Sequence, residues 1–213
     1  MPHDPRRTPG LAKASVGSDG TPLMQPLGVF MGDDEEAWAD PFAVVLFDRL
    51  AGFLVVTDGA RERAVRVPGG EWIVLATGER LTGPLSTSLP APLGAPPLLL
   101  RAGQALVLDR TSDTLLETTV PRHVGLFFDR VVVVGGPGPA SLTEAGGLVV
   151  EQTSEGDGLT VSVTRGVEGA LVLEVAGAYA SVSGDGVVAS EPVEGFTVVT
   201  IADGIDPRVT LRP

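Results

Sequence analysis

Beyond Gly52 no apolar run is long enough for a buried helix. Short runs such as GFLVVT, RAVRV, EWIVL, LSTSL, PLLLR and QALVLD follow one another, divided by Gly, Pro and Asp turns. A second series continues with VGLFF, RVVVV, GLVVEQ, LTVSVT, ALVLEV, AYASVS, GVVAS, FTVVTI and RVTLR. Turn signals recurring at roughly 8 to 12 residues are the pattern of sandwiches and barrels. Several runs also alternate: Leu159, Val161 and Val163 share one face, with Thr160, Ser162 and Thr164 on the other. The expected fold class is therefore all-β, with two packed antiparallel β-sandwich-like subdomains. Thirty Val and 17 Thr against three Ile agree with this, since β-branched residues suit pleated, half-buried surfaces.

The chain before Gly52 reads differently. Residues 1–21 hold several Pro and Gly breakers and few large apolar groups, which predicts a flexible leader. TPLMQPLGVF reads as a short extended segment. The acidic run Asp33, Asp34, Glu35 and Glu36 suits a helix start, where carboxylates complement the dipole. A second short helix is expected over residues 41–50, with Asp40 as N-cap, Pro41 at the first position and Gly52 beyond the end. Helix is thus confined to one or two short pieces near residues 33–51. Charge divides the remainder: the net charge is −3 up to residue 112 and −9 beyond it. Three regions follow, a leader at 1–21, a first β-domain at 22–111 and a second at 112–213.

Chemistry is sparse. A net charge of −12 opposes binding to a phosphate backbone, so nucleic acid is excluded as a partner. The apolar runs fall far short of a membrane span, and no signal peptide is readable, which leaves the cytoplasm as the default expectation. With no Cys and only His3 and His123 there is no paired ligand spacing for zinc, and with no G-x-S-x-G elbow in the chain His123 reads as a loop residue at the rim of a strand. The acidic turns EGDG and DGID lack the ligand density of a calcium loop and read as hairpin turns. RVVVVGGPGPASLTEAGG imitates a dinucleotide-binding turn, but Ser141 occupies the third glycine's place and no crossover helix fits before GLVVEQ. It reads as a Pro-Gly loop between antiparallel strands. No cofactor and no catalytic residue is expected.

Residues 65 to 109 are more specific. Pro68, Gly70 and Trp72, then Thr77, Gly78 and Glu79, then Pro92, Leu93, Pro97, Arg101 and Gly103 stand in a characteristic order. This stretch resembles the β-domain that follows the catalytic barrel in glycoside hydrolase family 31, the α-glucosidase and α-xylosidase group. The upstream TPLMQPLGVFMGDDEEAW is similar to that family's last barrel strand and the loop after it. SDTL and PGPASLTEAGG look like the distal β-domain of bacterial members. The chain departs from the pattern at Gln25-Pro26-Leu27, where the family has R-P-L, and at Ala76, where it has Trp.

The resemblance implies two accessory β-domains without the barrel that carries the nucleophilic Asp and the acid/base Asp. A domain of this kind has an apolar face meant to be covered. PFAVVLF adds apolar surface, and Phe42, Val44, Val45, Phe47 and Phe53 either close over that face within the chain or form a contact with another copy or protein subunit. The expected role is a non-catalytic structural or interaction protein, with self-association as the leading expectation. Two alternatives stand beside it: a carbohydrate-binding module, with Trp38, Trp72 and Tyr179 as candidate glycan contacts, and the accessory chain of a split glycosidase. Trp72 lies in a strand, where a core role is the stronger expectation.

Overall fold

A computed structural model describes residues 22, 24–109, 130–136, 138–143, 148–164, 171–202 and 204–213. The leader, His3, His123, SDTL and VGLFF lie outside the described residues.

The first unit is one six-stranded sheet with two short helices on it. It comprises β1 (Met24–Pro26), α1 (Leu27–Met31), α2 (Glu35–Trp38), β2 (Ala43–Leu46), β3 (Leu50–Phe53), β4 (Glu62–Val74), β5 (Arg80–Pro90) and β6 (Leu98–Arg101). The strand order is β1-β2-β3-β6-β4-β5, antiparallel throughout. Between Val67 and Gly70 the β4–β5 register shifts, and a bulge of this sort bends the long hairpin. The bend lets the inner face close on itself. Leu27, Val45, Phe53, Val67, Trp72 and Leu99 meet there in one core, with Phe30 set edge-on to Trp72 at 6.4 Å.

The expected helix over residues 41–50 is instead the β2–β3 hairpin. Val44 and Val45 favour extended backbone, and Ala43 and Val45 alternate inward as a strand requires. Phe47 and Asp48 take φ of 53° and 57°, and Arg49 donates its N–H to the Leu46 carbonyl at 3.1 Å. Two consecutive left-handed residues are the geometry of a tight hairpin turn. Asp40 caps a turn rather than a helix, accepting from the Phe42 N–H at 3.1 Å. The acidic run does start a helix: Asp34 accepts from the Ala37 N–H at 2.9 Å as N-cap of α2. The α1 turn, upstream of the region where helix was expected, forms within the segment read as extended.

The second unit is a sandwich. Its strands are β7 (Ala105–Asp109), β8 (Arg130–Val134), β9 (Ala140–Thr143), β10 (Val149–Glu155), β11 (Gly158–Thr164), β12 (Leu171–Ala176), β13 (Ser181–Gly184), β14 (Val187–Val193), β15 (Phe196–Ile201) and β16 (Arg208–Arg212). One sheet has the order β13-β16-β11-β10-β9 and the other β14-β15-β12-β8-β7. Leu159, Val161 and Val163 point inward as their alternation predicted, joining Leu173, Val199 and Leu211 in the core. The β8–β12 pair is parallel, the one departure from antiparallel pairing among the described strands. QALVLD, assigned by sequence to the first domain, pairs as β7 with β8 in the second. The chain therefore changes units near Gly103. The Gly136–Gly138 segment links β8 to β9 across the two sheets, rather than joining two paired strands. Its carbonyls at Gly136 and Gly138 accept from the buried Gln152 amide.

A third cluster joins the units. Ile73 and Leu100 come from the first sheet, and Leu106, Ala176 and Phe196 from the second unit.

Trp72 is fully buried, and its indole Nε1 has no hydrogen-bond partner among the described residues. Its contribution is therefore volume. Trp72→Ala is expected to lower unfolding stability by about 3–5 kcal/mol in chemical denaturation, and Trp72→Phe by clearly less. Equal losses in the two variants would show that the indole polar group, not its bulk, matters.

Candidate interaction surface

Strand register decides which faces the sequence-predicted residues occupy. Ala43 pairs with Phe53, Val45 with Ala51, and Ala51 with Leu99, and these side chains point into the first core. Val45 and Phe53 are accordingly buried and take no part in a surface. Of the proposed contact set, they are the members that close over a face within the chain. Val44 lies on the opposite face, half-buried. Phe42 and Phe47 are each 43% exposed, before β2 and in the hairpin turn after it.

The opposite face carries apolar rows that no single segment of sequence reveals. One row runs Met24, Leu46, Leu50, Leu100 and Ile73 across β1, β2, β3, β6 and β4. The adjacent row runs Pro26, Val44, Gly52 and Leu98. At one end Ile73 and Leu100 are fully buried beneath Ala176 and Phe196 of the second unit. At the other end Met24 is 59% exposed, and Pro26 is exposed beside it on the edge strand. From Ile73 to Met24 the first row holds no charged residue, its only charge being Arg80, which pairs with Ile73 on β5 beyond the buried end, and the second row from Pro26 to Leu98 holds none. Met24, Leu46, Leu50 and Leu98 carried no sequence signal as a set, because each sits on a different strand.

The glycan candidates are not brought together. Trp72 is core. Trp38 is 58% exposed, lies against Gly28, and donates its indole N–H to the Gly32 carbonyl at 2.5 Å. A side chain at Gly28 would run into the indole, within 2.6 Å of Cδ2, so that glycine is required for the packing. Tyr179 is half-buried in the second unit, where burial raises its phenol pKa and Arg80 partly offsets that.

Ion pairs anchor the α2 region to β4. Arg63 grips Asp40 with Nη2 at 2.6 and 2.5 Å, while its Nε and Nη1 donate to the Leu54 and Ala64 carbonyls. Arg66 pairs with Asp34 at 2.7 Å and with Glu36 at 3.3 Å. Between these anchors lies a groove of about 570 Å³ lined by Asp40, Phe42, Val56, Arg63 and Thr87 among others. Arg63, which lines the groove, is directed at protein acceptors through Nε, Nη1 and Nη2. Among the described residues, no group of three or more His, Asp or Glu is placed to hold a metal, and no helix is long and apolar enough to cross a membrane.

The Asp34 carboxyl is held below the usual carboxylate range, first by the Arg66 hydrogen bond and then by the Ala37 N–H. A depressed folded pKa means the unfolded chain binds more protons as pH falls, so this stabilisation is present above the ordinary carboxylate pKa. It is lost as pH drops through the lower folded value. Asp34→Asn should therefore flatten the acid limb of melting temperature against pH, and an acid limb as steep as that of the wild type would refute the assignment.

Residues 20–106 match the glycosyl hydrolase family 31 C-terminal domain. A 1,3-alpha-isomaltosidase of Kribbella flavida is 36% identical over 93 residues, 44% of this chain and 13% of that protein. The cycloalternan-forming enzyme from Listeria monocytogenes, solved with a pentasaccharide substrate, superposes with a TM-score of 0.73 at 18% identity over 94% of this chain and 21% of its own. The GH31 dextranase of Flavobacterium johnsoniae gives 0.65 at 15% identity over 91% of this chain and 29% of its own. The chain thus spans under a third of the length of these relatives. These superpositions extend over both units and show a shared fold.

Proposed function

We propose that this chain, whose residues 20–106 match the glycosyl hydrolase family 31 C-terminal domain, is a non-catalytic interaction subunit that associates with a second copy of itself through the outer face of its first sheet. The non-catalytic part of the reading is supported by the extent of the match, which is to the family's C-terminal domain and not to its barrel. The association is supported by one observation above all. The Met24–Leu46–Leu50 row, buried at its Leu100–Ile73 end against protein, runs on uncharged to an exposed end at the sheet edge.

A second copy suits that face for two reasons. The rows continue an interface that already joins two β-units of this chain, so their shape and polarity are those of a β-to-β contact. They are also a neutral strip on a molecule of net charge −12, where two like-charged copies can approach without opposing carboxylates. A two-fold axis through such a patch makes it self-complementary.

Light scattering coupled to size exclusion should give a mass at least twice 21.9 kDa. Met24→Glu with Leu46→Glu should return the monomer mass with an unchanged far-ultraviolet spectrum. A monomeric wild-type chain overturns self-association, and co-purification of a separate hydrolase chain in its place would establish the split-glycosidase alternative.

A carbohydrate-binding reading is favoured by one residue. Trp38 holds its indole at the surface, anchored through Nε1, which suits a stacking platform for a sugar ring. A glycan array with no bound saccharide would eliminate this reading, as would binding that survives Trp38→Ala unchanged.

A further inference from the structure

The Thr77-Gly78-Glu79 motif lies at the junction of the two units. It forms the turn after β4, held by the Gly78 N–H donating to the Val74 carbonyl at 2.8 Å and by the Glu79 N–H donating to the Thr77 hydroxyl at 3.3 Å. The Glu194-Gly195 turn between β14 and β15 meets it from the second unit. There Gly195 accepts from the Gly177 N–H at 2.9 Å, so this turn too is fixed from within. Both glycines are left-handed, with φ of 69° and 82°. Their backbones touch: a Cβ at Gly78 would fall 2.6 Å from the Gly195 carbonyl carbon and oxygen, and one at Gly195 would strike the Thr77 carbonyl. Neither obstacle is the movable end of a flexible side chain.

Two further contacts flank this one. Beside it lies the Ile73, Leu100, Leu106, Ala176 and Phe196 cluster. At the crossing point, Gly103 donates to the Gly135 carbonyl at 3.3 Å and Gly135 donates to the Gln104 carbonyl at 2.8 Å. Residues of both units thus meet through an apolar cluster, the hydrogen bonds of the Gly103–Gln104 connection to Gly135, and a backbone-to-backbone turn contact.

We infer that Gly78 and Gly195 form a backbone latch that locks the two β-units into one rigid, cooperatively folding body. The inference is independent of what the outer face binds. It assigns to the Thr77-Gly78-Glu79 motif a role the sequence alone did not supply, that of fixing the orientation of the second unit. Apolar contacts alone tolerate sliding, whereas two turns with no room for a methyl group between them define a single seat.

Matched controls separate latch from strain. Gly59 in the first unit has φ of 71° and Gly156 in the second has φ of 59°, and a methyl group added at either would have no neighbour within 4 Å. Gly59→Ala and Gly156→Ala should lower the melting temperature while keeping one calorimetric transition and an unchanged radius of gyration by small-angle scattering. Gly78→Ala and Gly195→Ala should instead split the transition in two and increase the radius of gyration. Latch variants that behave like their controls overturn the inference. A measurement on the unmodified chain keeps the test independent of whether any variant folds. In native-state hydrogen exchange, the slowest amides of β4 and β6 should open with the same free energy and denaturant dependence as those of β12 and β15. Separate openings in the two units overturn the inference as well.

Discussion

A sheet with apolar side chains on both faces has to be covered twice. The first unit is such a sheet, and most of its architecture follows from that constraint. Its inner face is covered from within: the bulge between Val67 and Gly70 bends the β4–β5 hairpin, and α1 supplies Leu27 to the Trp72 core. Its outer face cannot be covered by the same elements, because strand alternation fixes which side chains go where. The second unit covers part of it, taking Ile73 and Leu100 under Phe196 and Ala176. The part at β1 and β2 stays exposed in this chain, with Met24 at its outer end, and is the face we propose for a second copy. A one-residue slip in the β2–β3 register would exchange the two sets and turn Val45 and Ala51 outward.

Polar interactions do a different job in this molecule. Asp34 with Arg66 and Asp40 with Arg63 tie the short helical segment to β4, each pair partly shielded from water. A helix of four residues has negligible stability by itself, since nucleation is unfavourable and too few bonds follow to offset it. These tethers, the Asp34 cap and Trp38 lying against Gly28 hold the segment in place instead. The apolar core sets the topology, and the ion pairs set where its least stable element rests.

Much of the β-architecture was legible in the chain because alternation and turn chemistry are local. Leu159, Val161 and Val163 announce an inward face within seven residues, and the Thr77-Gly78-Glu79 turn is visible as a motif. The error over residues 41–50 has the same root. Asp40, Pro41 and Gly52 supply local helix signals, but the segment's Val44 and Val45 find strand partners in β1 and β3, and pairing overrides propensity. Reading PFAVVLF as added apolar surface took Phe42, Val44, Val45, Phe47 and Phe53 together, whereas a strand sends Val45 inward and Val44 outward. The surface rows were not legible at all. Met24, Leu46, Leu50 and Leu100 are neighbours only through register, which no window of sequence contains.

The location of those rows bears on what kind of partner they accept. They end at β1, which is only three residues long and includes Pro26, so the sheet edge offers little backbone for a further strand. The proposed second copy would therefore pack face to face, through side chains, and not by extension of the sheet. Face-to-face packing requires a partner that is flat and apolar over the same span, and it requires the two sides to keep a fixed relation while they pack. A rigid junction between the units supplies that second condition from this side. The junction that buries Ile73 and Leu100 thereby sets the orientation in which the neutral strip is presented.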